Sequence, residues 1–140
     1  MEKLIIDRTK WFRGQEFSES YLRRKEDGKM CCLGFECLLR GLSEAEITEI
    51  KMPSNVMAAH GIEKFEKLNG LSNSNNFGED TFYNDLDWVH KAAVINDIPI
   101  GPAQYISVGC YVSVSSEEDR ENQIKQLFME NLGREVEFIN

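Results

Sequence analysis

The stretch "SSEEDRENQIKQLFMENLGREVEFI", residues 115–139, constrains the fold more than any other part of the chain. Ser115 or Ser116 stands where a helix N-cap is wanted, and the acids after it sit where the helix dipole favours negative charge. Ile124, Leu127, Phe128 and Leu132 then recur at helical spacing as far as Gly133. A helix with one apolar stripe must lay that stripe on something. Directly after it comes "EVEFI", where Val136 and Phe138 alternate with Glu135 and Glu137, the period of a half-buried strand. A one-striped helix running into a one-faced strand predicts a layered domain in which helices pack on a sheet.

The rest of the chain supplies the other layers. Leu4 to Ile6 read as a short extended start, and a helical turn is expected around Trp11 and Phe12, stopping at Gly14. Asp27-Gly28 is a hairpin signal, because glycine tolerates the positive φ of tight turns; it predicts strands near Tyr21–Arg24 and Lys29–Cys31. The period then changes: Cys32, Phe35, Leu38, Leu39 and Leu42 predict a helix that Gly41 stops. Ser43 with Glu46 three residues on forms a capping-box pattern for a short helix to about Ile50, and Pro53 and Gly61 bracket a two-turn helix. The Asn-, Ser- and Gly-rich segment 69–78 reads as a surface loop. Leu86, Val89, Ala92 or Ala93 and Ile95 share one helical face, closed before Pro99, and "AQYISVGCYVSV" is β-branched and aromatic, hence extended. No repeat breaks the chain. Its 140 residues can bury a core without staples, so residues 1–140 are expected to form a single α+β domain, with four or five helices on a small, mainly antiparallel sheet.

Charge narrows the function classes. Sixteen basic residues against 24 acids leave a net charge of −8, which argues against direct nucleic-acid binding, since phosphates call for a basic face. The acids gather in "EDTFYNDLD" (79–87) and "EEDRE" (117–121). These read as solvated helix starts and loops, with an acidic decoy of a nucleic-acid-binding protein as the other reading. No apolar run is long enough to cross a bilayer, and "MEKLIIDRTKWF" has no signal-peptide core, so no membrane is expected and a cytoplasmic location is. In that compartment the four cysteines are expected to be reduced thiols.

The most chemically pointed segment is "GKMCCLGFECLLRGL", residues 28–42, with Cys31 and Cys32 at a strand-to-helix junction. At a helix start the free amides and the dipole favour a thiolate, and the hydrolase reading makes Cys31 or Cys32 a nucleophile, with His60 or, by preference, His90 as base and Asp97 or, by preference, Asn96 to orient it. Metal fits poorly: there is no CxxC, Cys32 and Cys37 point from different faces, and Cys110, His60 and His90 are scattered, so neither metal nor cofactor is expected. The packing reading treats cysteine as a small buried hydrophobe, with Cys32 on the stripe of Phe35 and Leu39 and Cys31 the more solvent-facing of the pair. Gly34 would let another backbone or a ligand come close. Phosphate capture by the free amides is a further option, with Arg23, Arg24 and Lys29 as counter-charge. Asn96-Asp97 either ends a helix through local bonds or lines a pocket floor beside "AAVI". The ligand-binding candidates are therefore Arg23, Arg24, Cys31, Gly34, Asn96 and Asp97.

Trp11 and Gly14, "YLRRKEDGKMCCLGF", "MPSNVMAAHGI", "AAVINDIP" and the acidic-start helix, taken in that order, resemble a family of small bacteriophage and prophage proteins. The family shares a Trp-Gly start, "CCLG" at a helix start, an "ND" stretch and a final amphipathic helix. The resemblance marks Cys31, Cys32, Leu33, Gly34, Asn96 and Asp97 as signature positions. It has no histidine matching His60 or His90, which weighs against the hydrolase. The segment around 69–83 and "YISVGCYVSV" are longer than the family pattern, which is where this chain would differ in what it binds. The family has no settled activity; the resemblance implies a setting, that of a non-enzymatic accessory protein acting by binding in the bacterial cytoplasm. Such a protein would block a host protein or sequester a small, nucleotide-like ligand, with interference with host defence as the context.

Overall fold

A parallel pair of strands from the two ends of the chain organises the fold. The structure, a computed structural model, describes residues 2–13, 20–61, 63, 66–71, 87–107 and 109–140. In chain order its elements are strand β1 (Leu4–Asp7), helix α1 (Cys32–Leu39), helix α2 (Glu44–Ile47), a 3-10 turn (Pro53–Asn55) running into helix α3 (Val56–His60), helix α4 (Asp87–Asp97), strands β2 (Gly101–Ser107) and β3 (Cys110–Val114), helix α5 (Glu117–Leu132) and strand β4 (Val136–Ile139).

Local chemistry sets most of these boundaries. Ser116 caps α5 by accepting the Asp119 amide at 3.0 Å, and Gly133 ends the helix in the left-handed region with φ 65°. The capping box of α2 is present in both directions, Glu46 amide to Ser43 and Ser43 amide to Glu46. Along α5, Ile124, Leu127 and Phe128 are buried, and the helix packs on α4, β3 and β4. Ile6, Leu22, Leu33, Ile95, Ile124 and Phe128 belong to one continuous core, in which Trp88 meets the Phe128 ring edge-on at 5.6 Å.

The α+β class stands, but the expected sheet needs correcting. Among the described residues there are two separate two-stranded pairs: β1 and β4 run parallel, with Leu4 opposite Val136 and Ile6 opposite Phe138, and β2 and β3 form an antiparallel hairpin. Alternation in "EVEFI" says which face is buried and nothing about strand direction; residues 8–135 lie between the two strands, and that long connection brings β4 alongside β1 in the same sense. The expected helical turn at Trp11 is also absent, for Trp11 is extended and bridges Met30 while its ring lies on Phe138 at 4.9 Å. Gly14 lies outside the described residues.

The Asp27-Gly28 turn does form, with the Arg24 amide donating to Lys29 at 2.8 Å and Gly28 at φ 72°. Its arms make no continuous ladder: Arg23 bridges Thr48, Met30 bridges Trp11, and the Cys31 amide donates to Tyr21. Helix α2 ends at Ile47 rather than near Ile50, where Glu49 takes φ 62°. Of the expected 69–78 loop, residues 72–78 lie outside the described residues, as does Leu86; Leu71 is in the core. No helix among the described residues is long and apolar enough to cross a membrane.

Candidate functional site

Helix α1 begins without a local cap. Cys31 holds the N-cap position in an extended conformation, and its side chain makes no capping bond. Asn96, 64 residues later at the end of α4, does the work instead: its Oδ1 accepts the Cys32 amide at 3.1 Å and the Trp11 indole N–H at 2.7 Å. Its Nδ2 donates to the Phe12 carbonyl at 3.0 Å and to Asp97 Oδ1 at 3.3 Å, so the buried amide is satisfied on both sides. The end of α4 is held in turn by Arg120, fully buried, which donates to the carbonyls of Ile95 (2.6 Å) and Asn96 (3.0 Å) and pairs with Glu117 at 3.0 Å. A cation there suits the negative end of the helix dipole.

Bringing the start of α1 against α4 leaves a cavity of about 410 Å³ beside the junction. Leu33, Met52, Ala93, Val94 and Ile98 give it apolar walls, and Ser20, Cys31, Lys51, His90 and Asp97 bring the polar groups. Exposure orders them by depth: Ser20, Cys31 and Leu33 are buried, Asp97 and His90 half-buried, and Lys51 exposed. The carboxyl thus sits towards the floor and the ammonium towards the rim. Burial raises the Asp97 carboxyl above its ordinary range, against the smaller pull of hydrogen bonds from Ser20 and Asn96 and the charge of Arg120.

The thiols answer to the same burial. Cys31 is only 3% exposed, and burial, with the Asp97 charge adding to it, pushes its thiol up to about 12. Cys32 and Cys37 are also pushed up, chiefly by burial. The Cys32 thiol donates to the Ala92 carbonyl at 3.9 Å, packing α1 onto α4. Cys31 is the more exposed of the adjacent pair, as expected, but only at 3% against 0% for Cys32, and the shift runs opposite to the lowering a nucleophile needs. Proximity to a helix start does not activate a thiol that desolvation keeps neutral.

Of the sequence candidates, Cys31, His90 and Asp97 come together on the cavity. Asn96 stands behind its wall as the knot described above. Gly34 is a close-approach site for backbone: a Cβ there would lie 1.9 Å from the Leu22 carbonyl oxygen, so the space a ligand would use is already taken. Arg23 and Arg24 do not line the cavity; Arg23 donates to Thr48 at 2.9 Å, and Arg24 pairs with Glu26 at 2.9 Å and lies over the Phe12 ring at 4.1 Å. Those guanidiniums are engaged and the Cys32 amide is spent on Asn96, which weighs against phosphate capture at the α1 start. His60, exposed on α3, is apart from the cavity.

The pocket-floor reading of Asp97 beside "AAVI" does place Ala93 and Val94 on the cavity, whereas sequence reasoning missed Ser20, Lys51, Met52 and Ile98, for which no local pattern exists. Arg120 did leave a signal, since it stands four residues before Ile124 and eight before Phe128, on the inward stripe. The acids of 117–121 are largely spent inside the fold: Glu121 pairs with Arg8 at 2.7 Å and Arg13 at 3.4 Å, and Glu117 with Arg13 at 3.3 Å as well as Arg120. Residues 79–86 of the other acidic run lie outside the described residues. Among the described residues no group of three or more His, Cys, Asp or Glu is placed to hold a metal ion. Comparisons with protein-family models, curated proteins and solved structures find no match for this chain.

Proposed function

We propose that the protein acts by binding, and that its site is the cavity between α1 and α4. The observation that carries this reading is the order of polar groups with depth: a half-buried carboxyl near an apolar floor and an exposed ammonium at the rim. A ligand that complements it offers N–H donors and a compact apolar body at its inner end and an anionic group at its outer end, a description that a nucleotide-like molecule meets. A cavity of this size, mostly apolar with a few converging polar groups, is the usual form of a small-molecule site. It favours sequestration of a small ligand over the blocking of a host protein. The hydrolase reading is not favoured because Cys31 is buried and neutral, nor is the acidic decoy, because Glu117 and Glu121 are paired with arginines within the fold. The phage or prophage setting, the host cytoplasm and a role against host defence rest on the family resemblance.

The test is thermal denaturation of the full chain with nucleoside 5′-monophosphates, the matching nucleosides and inorganic phosphate, since a ligand that binds only the folded state raises the midpoint. The monophosphate should stabilise more than either half alone, Lys51→Ala should reduce its advantage over the nucleoside, and Val94→Trp, which fills the cavity, should abolish both effects. Binding that survives Val94→Trp unchanged, or no stabilisation by any of the three probes, would remove this reading.

A further inference from the structure

From Ile98 to Ser116 the chain carries no charged side chain, the longest such run in a sequence that is 29% charged. That run is the β2–β3 hairpin and its flanks. On one face of the hairpin β3 is accounted for, because Val112 and Val114 are buried in the core, although their β2 partners Gln104 and Gly101 are exposed. The other is not. Tyr105 and Tyr111 stand opposite each other in register, their rings edge-on at 5.5 Å, yet they are 59% and 64% exposed, and Ile100 just before β2 is 49% exposed. Among the described residues the other large exposed apolar side chains, Ile5 and Met129, stand beside charges: Lys3, Glu135 and Glu137 around Ile5, and Glu130 next to Met129. Scattered exposed apolar residues need no explanation, but a paired aromatic face free of charge is the composition of a contact surface.

We propose that this face docks on the same face of a second copy of the chain, Tyr pair against Tyr pair about a two-fold axis. A two-fold contact sets a surface against itself, so it must not repel itself. Two chains that each carry a formal charge of −8 repel each other, and this hairpin, the longest uncharged run of the chain, adds no charge of its own to that repulsion. Edge-to-edge strand pairing is not the mode, because Pro102 has no N–H to give and the register of β2 is irregular between Gly101 and Gln104 and between Tyr105 and Ser107. Stacking of nucleic-acid bases on the tyrosines would call for cations alongside, and residues 98–116 carry none. A two-stranded face is small beside permanent interfaces, so the dimer is a reversible one. This inference is independent of the cavity.

Sedimentation equilibrium of the full chain tests it. A monomer–dimer equilibrium is expected below about 1 mM, the weak end of specific association, and it should tighten with added salt as the repulsion between acidic chains is screened. Tyr105→Glu places like charges across the axis and should weaken the dimer about tenfold or more. Met129→Glu, equally exposed elsewhere, should leave it unchanged, with circular dichroism showing both variants folded. A chain that stays monomeric up to about 1 mM, a dimer that loosens with salt, or one that Tyr105→Glu spares would overturn the proposal, as would equal damage by Met129→Glu.

Discussion

Glu36 and Asp97 are both acids that the fold draws out of water, and they are held in opposite ways. Glu36, in the middle of α1, has no exposed surface; Arg134 grips both its oxygens at 2.9 and 2.8 Å and Arg40 adds a bond at 2.8 Å. Arg134 also donates to the Glu2 carbonyl at 2.7 Å, so one carboxylate ties α1 to the turn before β4 and to the segment before β1. The bonds that Asp97 receives from Ser20 and Asn96 come from neutral groups, and its carboxyl faces a cavity. A carboxylate matched by guanidinium forks is a fastener whose lone pairs are used. A carboxyl that burial disfavours as an anion, left facing open space, keeps the capacity to accept a donor from outside. Fold and site thus use the same functional group with opposite electrostatics.

The largest effect should come from breaking the fastener. Glu36→Ala leaves Arg134 nearly buried without its anion and should cost about 3–5 kcal/mol in urea denaturation, the usual penalty for stranding one member of a buried pair. Glu36→Leu combined with Arg134→Met should lose less than Glu36→Ala alone; the reverse order would mean that the ions contribute more than their burial costs.

Next comes Asn96→Ala, which takes the acceptor away from the Trp11 indole and the Cys32 amide together. At about 1–3 kcal/mol for each buried donor left unpaired, and with some relaxation, a total of about 2–4 kcal/mol is expected. A much smaller loss would show that the knot beside the cavity is dispensable, erasing the distinction between a framed site and a gap in packing.

The two kinds of carboxyl should also differ in the sign of their pH dependence. Asp97 has its folded pKa raised, so the native state holds its proton more tightly than the unfolded chain, and stability falls as pH rises from the unfolded value of about 3.9 through the raised one. Asp97→Asn should therefore raise the melting midpoint near neutrality, and the gain should vanish as pH falls through that window. Glu121 is the contrast. The hydrogen bond from Arg8 lowers its pKa, so its contribution is present above the unfolded value and is lost as pH falls through the folded one. Glu121→Gln should lower the midpoint near neutrality and converge with the parent in acid. Equal slopes for the two variants would break the comparison.

The smallest effect is expected at the double cysteine. Cys31→Ser should stay folded and keep the ligand-dependent stabilisation, and iodoacetamide should label Cys31, Cys32 and Cys37 of the native protein slowly, at rates set by opening of the fold. Rapid labelling of Cys31 at neutral pH would mean an ionised, accessible thiol and would return the hydrolase to consideration.

How far the sequence was legible depends on the range of each interaction. The ends of α5, the box on α2, the stop at Gly41, the turn at Asp27-Gly28 and the end of α4 before Pro99 were all readable, because each rests on a bond or a backbone restriction spanning a few residues. The antiparallel expectation for the sheet failed, because the pairing partners of Val136–Ile139 lie at the other end of the chain and periodicity carries no direction. Cys31, His90 and Asp97 could be named as reactive types, but their shared cavity could not, since its walls come from four separated segments.

What the amino-acid order determined by itself, then, is the set of local pieces and the face each would bury: caps, stops and stripes are encoded within a turn or two of where they act. Tertiary structure alone decided what meets those faces. The cap on α1 comes from Asn96, 64 residues away, and the fastener on Glu36 from Arg134, 98 residues away. The same junction that brings amides to a helix start also buries Cys31, and burial outweighs the helix start in setting the chemistry of its thiol. Desolvation is a property of everything packed around a group, and no window of neighbouring residues contains it.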